Sequence, residues 1–149
     1  MKRDRIATHV LLAFGVVLAV YLAAFYSIEH LRTRKGGWHV TFQTDAMGAP
    51  ALLVAEPHLG ISNIVFAFPG QRLALTNLAR TIVFDRPITN APFGQIIYLD
   101  TTFLPGAIVF RLFDHEIQLV PRVLIVDRRE IPWASAGRME LAARPEKAP

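Results

Sequence analysis

The sequence predicts a single N-terminal transmembrane α-helix followed by an all-β domain, an antiparallel β-sandwich or open barrel of about eight short strands. Three observations lead to this class. Residues 6–28, IATHVLLAFGVVLAVYLAAFYSI, contain no charged side chain. Beyond Gly36 and Gly37 the hydrophobic period changes from helical to two. From there to Trp133, turn-forming residues recur at short intervals and no amphipathic helical pattern intervenes.

The chain begins with a basic flank, residues 1–5, holding Lys2, Arg3 and Arg5. The apolar run that follows spans roughly 34 Å as a helix, enough for the ~30 Å hydrocarbon core of a bilayer. A secretory signal has an apolar core of only about 7–15 residues and ends at a small-x-small site. Here the run is longer and leaves through Phe25, Tyr26, Ser27 and Ile28, which predicts an uncleaved signal anchor. Without cysteine, and with Lys2 where a myristoylated chain has glycine, lipid attachment is not expected. Within the run, Ala13, Gly15, Ala19 and Ala23 form a series of small residues suited to close approach of a partner helix, or to plain lipid contact.

Residues 29–37 form a basic juxtamembrane linker with Arg32, Arg34 and Lys35, ended by the glycine pair. Residues 1–35 hold six basic against two acidic side chains, and residues 36–149 hold ten of each. The whole formal charge of +4 therefore flanks the span. Those flanks predict contact with anionic lipid head groups, and the neutral domain argues against a nucleic-acid partner. With the α-amino group added to its first flank, the expected orientation places the N-terminus in the cytoplasm. The C-terminal domain is then extracytoplasmic, in the manner of a bacterial inner-membrane protein facing the periplasm.

The β region is expected over residues 38–133. Trp38, Val40 and Phe42 alternate with His39, Thr41 and Gln43, the pattern of a half-buried strand. Further strands are read near residues 51–55, 61–68, 80–84 and 93–99, separated by loops carrying Pro, Gly and Asp. Two hairpins follow. In the first, Asp114 and His115 occupy the loop, pairing Leu112 with Ile117 and Phe110 with Leu119. In the second, Arg128 and Arg129 form the tip, pairing Val126 with Ile131 and Leu124 with Trp133. Residues 134–149 turn small and polar and read as a disordered tail.

The residues that could carry chemistry are few. Asp114, His115 and Glu116 are all metal-binding or proton-moving types, but neighbours in a turning chain diverge, and no His-x-x-x-His or His-Glu-x-x-His spacing supplies further ligands. A solvated hairpin tip is the expectation, with no metal, cofactor or catalytic residue. No serine elbow, phosphate loop or cysteine nucleophile occurs. Trp38 and Trp133 are placed in the core by alternation, and sugar stacking or a position at a protein interface is the competing role. Recognition is expected instead in loops at a sandwich end, with Asn90, Phe93, Thr101, Thr102 and Phe103 as candidates. The expected function is a membrane-anchored, non-catalytic accessory or scaffold subunit whose domain binds another membrane or envelope protein. The alternatives are a module binding glycan or another envelope polymer and, further behind, a metal-dependent enzyme at residues 114–116.

Overall fold

The computed structural model describes residues 5–143, with the backbone alone for residues 32–34. Helix α1 (Arg5–Arg34) is long and apolar enough to cross a membrane. Its apolar side chains are exposed, from Ile6 to Leu31. Helix α1 and the described residues from 35 to 143 belong to separate compact units.

Among the described residues the second unit holds ten strands: β1 (Trp38–Thr44), β2 (Pro50–Glu56), β3 (Ile61–Ala67), β4 (Ala79–Phe84), β5 (Gln95–Asp100), β6 (Ala107–Leu112), β7 (His115–Val120), β8 (Val123–Val126), β9 (Arg129–Ile131) and β10 (Ala136–Glu140). They form two five-stranded sheets, ordered β10-β3-β2-β1-β4 and β5-β6-β7-β8-β9. Every pairing is antiparallel except β10 on β3. The helix-plus-all-β class is as the sequence predicts, with an open sandwich of ten strands.

Alternation explains the core. Trp38, Val40, Phe42, Leu52, Val54 and Phe66 of the first sheet are buried together with Ile108, Phe110, Leu112, Ile117 and Leu119 of the second. Phe110 receives Phe84 and Phe42 edge-on, at 5.6 and 6.1 Å between ring centres. Such edge-to-face pairs place the positive rim of one ring against the negative face of another.

Both expected hairpin registers shift by two residues. Leu112 pairs with His115 and Phe110 with Ile117, so Phe113 and Asp114 make the first turn. Val126 pairs with Arg129 and Leu124 with Ile131, leaving Asp127 and Arg128 in the second. A shift of two keeps every side chain on its expected face, which is why hydrophobic pattern alone did not separate the registers. Packing separates them. Phe113 accepts a positive φ of 54° and stacks near Phe68 and Phe93, at 5.0 and 6.2 Å. Asp127 and Arg128 both take positive φ, 51° and 68°, as a two-residue turn matched to strand twist requires.

The tail is corrected in part. Residues 136–140, expected to be disordered, are β10, paired in parallel with β3. Met139 and Leu141 pack on the core, and the Leu141 amide donates to the Ala67 carbonyl at 2.8 Å. Residues 144–149 of that expected tail lie outside the described residues.

Candidate functional site

The Asp114-His115-Glu116 motif does not converge. Asp114 is exposed in the turn, His115 is buried on the inner face of β7, and Glu116 faces outward, accepting a hydrogen bond from Gln118 Nε2 at 2.7 Å. His115 is thus no solvated tip residue, which corrects the hairpin-tip expectation for it. The His115 Nδ1 lies 2.6 Å from Asp127 Oδ2, and its Nε2 lies 3.0 Å from the Ala142 carbonyl oxygen. Both ring nitrogens are met by oxygens, so neither is directed at open space. Asp127 Oδ1 also accepts the Glu116 amide at 3.0 Å. The arrangement ties the turn after β8 and the segment after β10 to β7. Among the described residues, no three His, Cys, Asp or Glu side chains are grouped to hold a metal ion.

Sequence reasoning overlooked a buried acid, Glu56. It ends the inward series Pro50, Leu52, Val54 in β2 and is 1% exposed. Its Oε1 accepts the His58 amide at 3.0 Å and lies 3.0 Å from His58 Nδ1, capping the 3-10 turn Pro57–Leu59. Its Oε2 has no hydrogen-bond partner. The signal was present: a glutamate at an inward position of an alternating strand is a buried carboxylate.

The expected recognition residues divide sharply. Phe93 is a core residue, packed edge-on against Phe42 at 5.1 Å, and is not available for binding. Asn90 is exposed and lines an open groove of about 720 Å³ beside β4. Thr101, Thr102 and Phe103 lie in the loop joining β5 to β6, where Phe103 is 64% exposed. Asp100 organises that loop: its Oδ1 accepts the Thr102 amide at 2.8 Å. This bond, followed by one from the Thr102 side chain, holds the Asp100 carboxyl below its ordinary value, against a small opposing effect of burial. At the loop's far end, a β-carbon on Gly106 would overlap the Asp100 carbonyl oxygen, so only glycine fits.

One hairpin therefore presents a surface the sequence only half disclosed. The register of β5 on β6 shifts between Ile96 and Tyr98, the mark of a bulge. A bulge breaks strict alternation, and here Ile97 and Tyr98, adjacent in sequence, are both exposed, at 45% and 54%. With Phe103 they make three large apolar side chains in water on one β5–β6 hairpin, while Ile108, Phe110 and Leu112 of the same hairpin fill the core.

No family model, no curated protein and no solved structure matches the chain.

The tryptophans are structural in position. Trp38 is fully buried and donates from Nε1 to the Gly106 carbonyl at 2.6 Å. Trp133 packs against it at 5.2 Å between ring centres and donates from Nε1 to the Val120 carbonyl at 2.8 Å. On α1, Gly15, Ala19 and Ala23 recur every four residues and share a face. Ala13 falls about 160° away from Gly15 at 100° per residue and leaves that series. Arg5 is the first residue of α1, and Lys35 is exposed just after it. Lys2 and Arg3, and the side chains of Arg32 and Arg34, lie outside the described residues.

Proposed function

We propose that the chain is a single-pass membrane protein whose β-domain serves as a non-catalytic accessory subunit, binding another membrane or envelope protein through the β5–β6 hairpin. The observation that carries this reading is the joint exposure of Ile97, Tyr98 and Phe103 on one hairpin. Aromatic side chains standing in water on a well-packed domain lose that unfavourable exposure when a partner covers them, and they are enriched where partners dock. The exposed apolar helix supports the membrane half of the reading, and the two basic flanks, Lys2, Arg3 and Arg5 before it and Arg32, Arg34 and Lys35 after it, support anionic head-group contact, while the α-amino group added to the first flank favours a cytoplasmic N-terminus.

The test is recovery of the full-length chain from native membranes in mild detergent. A stoichiometric partner is expected with the native chain and is lost with the double variant Tyr98→Ala, Phe103→Ala. Recovery of the chain alone, or retention of the same partner by the double variant, contradicts the reading. A reporter fused after residue 143 reads the orientation, with activity expected only for a reporter that works outside the cytoplasm.

A further inference from the structure

A sheet edge left open is a template for another strand, and folded proteins usually blunt such edges. Among the described residues the two sheets end in β10, β4, β5 and β9. Strand β9 has three residues. Strand β5 is interrupted by its bulge. Strand β10 carries the Arg138–Glu140 ion pair, at 3.5 Å, and is a five-residue segment containing Gly137. Strand β4 differs from all three. Its six residues pair with β1 in unbroken register, from Trp38 opposite Phe84 to Gln43 opposite Ala79, with no proline and no bulge.

Beside this edge runs the groove of about 720 Å³, lined by residues 80–83 of β4 and by residues 85–90 of the loop beyond. Ile82 and Ile88, both half-buried against the core, contribute its apolar part. Its charged groups are Arg80, Arg86 and Asp85, two guanidinium groups against one carboxylate. Arg86 Nε lies 3.7 Å from Asp85 Oδ1 with both side chains largely in water, a weak pairing. Arg80 stands opposite Phe42, at an inner-face register position, yet is exposed because β4 is the last strand of its sheet. A cation there disfavours pairing with a basic or purely apolar edge and favours an acidic one.

We infer that the open edge of β4 accepts an extended acidic segment of a partner protein as a sixth strand, with the segment's apolar side chains over Ile82 and Ile88 and its carboxylates at Arg80 and Arg86. Backbone hydrogen bonds supply binding and the guanidinium groups supply selectivity. This rests on the reading of the domain as a protein-binding module and adds a surface separate from the β5–β6 hairpin.

The probe is a synthetic peptide of alternating valine and glutamate, added to the full-length chain in neutral phosphatidylcholine nanodiscs, with a valine–lysine peptide as control. Hydrogen exchange is expected to slow at the β4 amides with the acidic peptide and not with the basic one. The double variant Arg80→Glu, Arg86→Glu is expected to weaken binding by about tenfold or more, while Tyr98→Ala with Phe103→Ala leaves the protection unchanged. Unaltered exchange at β4, protection at β5 or β10 instead, or equal binding of the basic peptide overturns the inference. If the acidic peptide fails while partner recovery still depends on Tyr98 and Phe103, this inference falls and the accessory-subunit reading stands.

Discussion

Asp127 and His115 are twelve positions apart in sequence and 2.6 Å apart in space, Oδ2 to Nδ1. The contact depends on the observed register, which leaves Asp127 in the turn after β8 and His115 as the first residue of β7. It joins the second hairpin to the first, and through the Ala142 carbonyl it also reaches the segment that follows β10.

Removing the carboxylate should be costly, since Asp127 accepts from the Glu116 amide as well. Asp127→Ala is expected to destabilise the domain by about 2–3 kcal/mol, and Asp127→Asn by about 1 kcal/mol. Urea unfolding of the full-length chain in detergent, followed by Trp38 and Trp133 fluorescence, measures both. A wild-type midpoint for Asp127→Ala would show that the contact does not contribute.

Two phenylalanines named alike by the sequence should behave oppositely. Phe93→Ala opens a hole beside Phe42 and Phe113 and is expected to cost about 3–5 kcal/mol. Phe103→Ala, at an exposed loop position, is expected to change stability by no more than about 0.5 kcal/mol. The same unfolding measurement decides, and equal losses would refute the division of core from surface.

Gly106→Ala drives a β-carbon into the Asp100 backbone, which has no flexible side chain to move aside. A loss of about 3–4 kcal/mol is expected, with a change in Trp38 fluorescence because Trp38 donates to the Gly106 carbonyl. A variant with native stability and spectrum would show that the loop relaxes freely.

The Asp100 carboxyl titrates below its ordinary value of 3.8 because the folded loop hydrogen-bonds its charged form. A depressed folded value means that the stabilisation is present at neutral pH and is lost as pH falls through the folded value. Loss of order in residues 100–106 is therefore expected only in acid, and Asp100→Asn should abolish that pH dependence. Carboxyl NMR titration with Thr102 amide exchange reports it, and an Asp100 midpoint above 3.8 would contradict the hydrogen-bonded loop.

Truncation after residue 133 removes β10, strips Met139 and Leu141 from the core and takes away the Ala142 carbonyl from His115. A loss of about 3 kcal/mol or more is expected in thermal or urea unfolding. Unchanged stability would return these residues to the role of a dispensable tail.

Local chemistry made much of this legible. An uncharged run of helical length, a glycine pair and strict alternation from Trp38 onward each constrain the chain without reference to distant residues. Three features were not legible for one shared reason, that they depend on long-range partners. Strand β10 is short and mostly exposed, and its pattern acquires meaning only against β3, some seventy residues earlier in the ladder that pairs Ala136 with Asn63. The hairpin registers differ by two residues and so look alike in hydrophobic pattern. Phe93 sits amid loop residues, and only Phe42 and Phe113 make it core.

Sequence alone determined that an apolar helix precedes an alternating, electrically neutral β region, because charge and period are properties of the chain itself. Tertiary structure decided which strands end the sheets, that His115 turns inward to Asp127, and that Ile97, Tyr98 and Phe103 remain in water. Those outcomes follow from which surfaces find a partner across the sandwich, and no window of adjacent residues contains that information.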